Sequence, residues 1–128
     1  MRRTSPPSLL WNDALAPLAV TTRPVEPATV VVTVRGEIDM SNRADFQDRL
    51  MAQVRRDGPH LVVDLTAVDY LGAAALTVLL TVQDSVRASG GRGMTIVAST
   101  PAAILPLTMA GLIGFFEVHP DLAHVCSG

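Results

Sequence analysis

The sequence contains no lysine. All ten of its basic residues are arginines, and against twelve acidic residues they leave a formal net charge of −2. Without a basic excess there is no stripe to neutralise a phosphate backbone, so nucleic acid is not an expected partner. The exclusive use of arginine fits a GC-rich coding genome and points toward bacteria. Cysteine is almost absent too, with Cys126 alone near the C-terminus. Neither an internal disulfide nor a cysteine-based zinc site can form, and a reducing, cytoplasmic home is expected. The three histidines, His60, His119 and His124, are scattered with no His-x-x-x-His pairing. They read as structural or solvent-facing residues, not metal ligands.

Catalytic signatures are missing as well. There is no Gly-x-Ser-x-Gly elbow, no phosphate-cradling Gly-Lys loop and no dinucleotide fingerprint. Gly90-Gly91-Arg92-Gly93 follows a helical pattern and not a strand, so it reads as a loop. With no nucleophile-base pair, the expectation is a non-enzyme that needs no cofactor. Arg2-Arg3 does not open a secretion signal, because Pro6, Pro7, Asn12 and Asp13 interrupt any apolar segment. Charge is absent over 24 residues from Gly93 to Phe116, long enough to span a bilayer. Pro101, Pro106 and three glycines divide that run into a strand and a helix, which implies a buried half-domain without membrane insertion.

What is present is a chain of 128 residues, 48% hydrophobic, which suits one compact domain. Residues 1–13 read as a flexible N-terminal arm and residues 14–128 as the domain. Leu18 and Val20 alternate beside Pro17 as a short edge strand, and Arg23 to Pro27 reads as a turn. The β-branched run Thr29 to Arg35 predicts a strand covered on both faces. Gly36-Glu37-Ile38-Asp39 should break it, and Ser41-Asn42 should cap a helix whose apolar face is Phe46, Leu50, Met51 and Val54. Gly58-Pro59 should end that helix before a second buried strand, His60 to Leu65.

The stretch from Asp64 to Val82 organises the rest. A strand delivers the chain through Asp69-Tyr70 to Gly72, and a helix from about Gly72 to Ser89 opens on Ala73, Ala74 and Ala75 with free N–H groups. Its inward face is read as Leu76, Leu79, Leu80, Val82 and Val86, with Gly90-Gly91 as terminator. Met94 to Ala98 is a third strand, Thr100-Pro101 starts another helix ended by Gly111, Phe115 to Val118 is a last strand, and Asp121 to Val125 a final helical turn. Pro106 implies a kink or early break in the third helix. The order implies a single α/β domain with a mostly parallel mixed sheet, an opening antiparallel hairpin and about four helices.

With these residues in hand, the segment from Val30 to Val118 resembles the STAS domain of bacterial anti-sigma factor antagonists. Gly36-Glu37-Ile38-Asp39 is similar to the family's Gly-Glu-Leu/Ile-Asp loop, and Val62-Val63-Asp64-Leu65 to its apolar-Asp-Leu strand. Thr100-Pro101 and Gly111-Leu112 are similar to the start and end of its third helix. The resemblance implies that the chain binds an anti-sigma factor of the serine-kinase/ATPase fold, freeing a sigma factor. In that family the long helix begins Asp-Ser-Ser/Thr/Ala-Gly-Leu, with the first serine phosphorylated by the partner. Here those places fall on Gly72, Ala73, Ala74, Ala75 and Leu76, so only the leucine is kept. The resemblance therefore implies a partner surface made by Glu37, Asp39, Tyr70, Gly72, Ala73, Ala74, Ala75 and Leu76 without a phosphoacceptor, since Ala73 has no hydroxyl.

Rival readings stay open on the residues themselves. The small residues at 72–75 also suit close packing of a helix start on a sheet, and Thr77 suits a bond to the carbonyl one turn back. Asp39 with Glu37 suits a loop that caps its own N–H groups. The uncharged helix with Ile104, Leu105, Leu107 and Met109 suits cover by the N-terminal arm, a partner protein or a second copy of the chain. A different class of function is a STAS subunit that senses a small ligand or serves a lipid or anion transporter. A phosphoryl-relay role would need Thr77 or Ser41 as acceptor.

Overall fold

The computed structural model describes residues 18–25 and 27–126. The elements are β1 (Ala19–Val25), β2 (Thr29–Ile38), α1 (Arg43–Met51), β3 (His60–Leu71), α2 (Ala73–Ser89), β4 (Met94–Val97), α3 (Pro101–Met109), β5 (Val118–His119) and α4 (Leu122–Cys126). They form one five-stranded sheet in the order β1-β2-β3-β4-β5. β1 pairs antiparallel with β2 and every later neighbour is parallel, as expected. Three helices of nine or more residues accompany it, one fewer than the four expected, because α4 is a single five-residue turn.

A sheet whose strands follow one another in sequence, joined by right-handed crossovers, places every crossover helix on the same face. Burial shows that arrangement: Val32, Val34, Leu61, Val63, Leu65 and Ile96 share one core with Phe46 and Leu50 of α1, Val78, Leu79 and Val82 of α2, and Ala103 and Leu107 of α3. The alternate residues Val31, Val62 and Val97 point the other way and are equally buried, with Leu122 and Val125 of α4 against them. Covering both faces of β2 is what makes a run of consecutive valines stable there, each worth roughly 1.5–3 kcal/mol when fully buried.

Several boundaries differ from the sequence reading. β1 continues through Arg23-Pro24 to Val25, because its outer edge faces no strand and proline's missing N–H costs no ladder bond there. β2 does not break at Gly36. Gly36 takes a φ of +93° and the strand absorbs it as a register irregularity before running on to Ile38 opposite Leu71. α1 ends at Met51, short of Gly58-Pro59: the N–H groups of Gln53 and Val54 turn back onto Leu50 and Met51 carbonyls at 3.0 Å, which tightens and stops the helix. β3 runs to Leu71, and β5 is only Val118–His119, Phe115 and Phe116 lying in the preceding turn edge to face.

On α2 the buried row is Ala75, Val78, Leu79, Val82, Gln83 and Val86, while Leu76 and Leu80 are only half-buried on its flank. Gly90 at φ +78° ends it, as anticipated. Pro106 neither breaks nor shortens α3; it withholds one N–H, and the helix goes on until Ala110 donates to the Pro106 carbonyl at 3.0 Å. The charge-free run from Gly93 to Phe116 is divided between β4 and α3, and no helix among the described residues is long and apolar enough to cross a membrane. The expected N-terminal arm lies outside the described residues.

Candidate functional site

The parallel strands β2 and β3 end side by side, and the loops they feed meet at the first turn of α2. Between them is a cavity of about 640 Å³ whose wall includes Asp39, Met40, Arg43, Tyr70, Gly72, Ala73, Ala74 and Thr77.

Gly72 makes the junction. Its N–H donates to the Ile38 carbonyl at 2.9 Å, tying the end of β3 to the end of β2. A Cβ at this position would lie 3.1 Å from the Ile38 carbonyl oxygen and 3.1 Å from Tyr70 Cε2, so the phenol ring occupies the space a side chain would take. Gly72 is the N-cap of α2 in an extended conformation, no side chain caps the helix, and its first turn holds no acidic residue. The N–H groups of Ala75 and Leu76 fold back onto the Gly72 carbonyl, leaving the Ala73 and Ala74 groups as the uncompensated positive end of a 17-residue helix.

The facing loop is held by its own side chains. Asp39 Oδ1 accepts from the Ser41 hydroxyl at 2.6 Å and from the Ser41 N–H at 2.9 Å, and these bonds hold its carboxyl below the ordinary value of 3.8. Asn42 stands at the N-cap position of α1 but does not cap it. Its Oδ1 accepts from the Asp39 N–H at 3.0 Å and its Nδ2 donates to the Glu37 carbonyl at 2.8 Å, so the expected cap is spent on closing the loop. Thr100 likewise sits at the N-cap of α3 without a side-chain bond, its Oγ1 buried and unpartnered.

Of the residues read from the sequence as a partner surface, Asp39, Tyr70, Gly72, Ala73 and Ala74 line the cavity together. Ala73 is exposed and Ala74 half-buried. Glu37 pairs with Tyr70 across the β2–β3 ladder just behind the mouth, and Leu76 is half-buried against the core. Ala75 is a correction: it is fully buried beneath the helix start, where 3.6-residue periodicity turns it onto the sheet, and it offers no outward surface. Met40 and Arg43 were not anticipated. Met40 is 81% exposed and Tyr70 52%, which gives the cavity an apolar lip. An exposed methionine in a loop outside any periodic pattern was the one available signal for it. Thr77 Oγ1 lies 3.3 Å from the Ala73 carbonyl, the bond expected of a mid-helix threonine.

No group of three or more metal-ligating side chains occurs among the described residues. His60 is engaged at both nitrogens, 3.2 Å from the Arg92 carbonyl and 2.7 Å from Thr95 Oγ1, and His119 lies 2.9 Å from Glu117 Oε2.

A mixed sheet opened by a hairpin, with three helices on one face and a bare helix start under an apolar lip, defines a small α/β domain with an open cavity at the ends of β2 and β3. The chain belongs to the STAS domain family, whose family model matches residues 19–125. It is 28% identical over 98 residues to the anti-sigma-F factor antagonist RsfB of Mycobacterium tuberculosis, 77% of this chain and 79% of that one. The crystal structure of an anti-sigma factor antagonist from Mycobacterium paratuberculosis superposes with a TM-score of 0.78 at 29% identity, covering 87% of this chain and 92% of that one. A structure of a putative anti-sigma factor antagonist from Thermotoga maritima shares the fold, with a TM-score of 0.74 at 16% identity and coverage of 84% and 92%.

Proposed function

We propose that this chain is an anti-sigma factor antagonist: it binds an anti-sigma factor through the mouth formed by Asp39, Met40, Tyr70 and the Gly72–Ala74 turn, and thereby frees a sigma factor. It acts by occupancy and not by catalysis. The partner is of the serine-kinase/ATPase fold, as the family resemblance implies, and the relatives' names support the regulatory role.

The observation that carries the reading is Ala73, exposed at the open end of α2 beside a 640 Å³ cavity; the resemblance puts the family's phosphoacceptor at this position, where the chain has only a methyl group. A phosphoserine there would add about −1.5 to −2 charge and repel a phosphate-bearing or acidic partner face. A methyl group cannot be esterified, so the complex is not dissolved by ATP. Neighbouring hydroxyls are poor substitutes, because Ser41 Oγ is committed to Asp39 and Thr77 Oγ1 to its own helix.

The test uses the purified anti-sigma factor of the same host. Binding to the wild-type chain should be equally strong with and without ATP, and intact mass should show no added phosphate on the wild type. The Ala73→Ser variant should gain one phosphate with ATP and then dissociate. Release of the wild type on addition of ATP, or failure of any anti-sigma factor of the host to bind it, overturns the reading.

A further inference from the structure

A second cavity, of about 350 Å³, lies at the opposite end of the sheet, where β3 and β4 begin and α2 finishes. Gln83 forms part of its wall. It stands in the buried row of α2 at 6% exposure, yet its Nε2 has no hydrogen-bond partner. A buried donor left unpaired is costly, and a leucine at this step of the row would avoid that cost while keeping the packing. The polar residue is therefore not explained by the fold.

Its surroundings are basic. Arg87 and Arg92 are exposed on the same wall, and neither is in an ion pair among the described residues. The Arg87 guanidinium carbon lies 5.8 Å from the centre of the Phe115 ring, which holds that charge beside the mouth. His60 fixes the Arg92 backbone through the 3.2 Å contact to its carbonyl and adds no free donor. Among the described residues Glu117 is the only carboxylate on the wall, and one of its oxygens is turned to His119 at 2.9 Å. The last carbonyls of α2 accept from the Gly90 and Gly91 N–H groups, so the negative end of the helix is largely occupied. Two guanidiniums against one partly engaged carboxylate leave the cavity positive.

We propose that this cavity binds a small organic oxyanion, a carboxylate or a phosphate monoester, whose oxygens accept from Gln83 Nε2 and from the Arg87 and Arg92 guanidiniums while its carbon part rests on Phe115. Guanidinium forks match such oxygens in pairs. Nε2 itself presents no surface to solvent, so the amide must turn about its broad, roughly two-fold terminal torsion to bring the N–H₂ onto an acceptor in the cavity. The volume stands at the small end of ligand cavities, which suits a metabolite of a few carbons and not a nucleotide.

The test is a titration of the ¹⁵N-labelled full chain with glycerol 3-phosphate and, separately, with succinate. A saturable shift of the Gln83 side-chain N–H₂ pair is expected with at least one of them, and which one responds tells phosphate ester from carboxylate. Arg87→Ala and Arg92→Ala, both at exposed positions, should each weaken that binding about tenfold or more. Gln83→Leu should abolish it while raising the thermal midpoint. The proposal is overturned by the absence of a saturable shift with either probe at tens of millimolar, or by binding that is unweakened in both arginine variants or in Gln83→Leu.

Discussion

Ala74 is the residue whose size bears most directly on the proposed partner contact. It borders the cavity half-buried, one position past the exposed Ala73, so a longer acidic side chain there fills the mouth and sets a negative charge on the open helix end. The helix itself tolerates this, since an acid in the first turn is favourable to its dipole by a few tenths of a kcal/mol. Ala74→Glu is therefore expected to abolish capture of the anti-sigma factor and leave the thermal midpoint unchanged or slightly raised, as calorimetry and pull-down together would show. Asp39 gives a second prediction. Its folded pKa is lowered by the Ser41 hydroxyl and N–H, so its contribution to stability is complete above the ordinary value of 3.8 and fades as pH falls below it. The stability gap between wild type and Asp39→Asn, measured by urea unfolding, should be full at neutral pH and close progressively as pH falls below 3.8. Tyr70, Gly72 and Ala73 were readable together because turn and helix-start chemistry is local, whereas Asp39, on a loop roughly thirty residues away, was joined to them only through the family resemblance. Met40 and Arg43 were not, because what faces them across the loop depends on how β2 and β3 end in space.

At the level of elements, α2 was the most legible, since a glycine stands at each end and the apolar period between them is long. Its inward face was read one step off: leucines drew attention, yet Ala75 and Val78 take the line that meets the sheet, and Leu76 and Leu80 fall to the side. Leu79 was read correctly and is wholly buried at the centre of that line. Leu79→Ala should cost about 3 kcal/mol in chemical unfolding, as large-to-small changes in packed cores do. Strand ends were harder to read. Gly36 carries the signature of a terminator, but parallel pairing with β3 on one side outweighs it, and β2 keeps its register by swallowing the irregularity. The opposite happened at β5, where an apolar run offers more strand than the neighbouring β4, itself only four residues long, can pair.

As a whole molecule, the domain has two unequal cores, and the smaller is packed by Val25 of β1 and by one turn, α4. Val31, Val62 and Val97 are completely buried, with Leu122 and Val125 of α4 packed on them. Ending the chain after Pro120 uncovers these three valines, and the expected loss is on the order of 2 to 4 kcal/mol by the area they expose. It should appear as a lower urea midpoint and as new binding of a hydrophobic dye, with the helix-covered face still folded. The architecture as a whole, one hairpin followed by alternating helices and strands, was legible because the change of period from two to 3.6 is written repeatedly along the chain.

The phenol ring of Tyr70 lying against Gly72 has a bearing on heredity. One codon change can place serine at 73, but an aspartate at 72, of the kind the family pattern pairs with it, is crowded at 3.1 Å by both that ring and a backbone oxygen. An aspartate at 72 therefore asks the half-exposed Tyr70 ring and the Ile38 carbonyl to give by a few tenths of an ångström, whereas a serine at 73 meets no such contact. A single-base change at codon 72 thus delivers a side chain that an exposed ring must first step aside to admit.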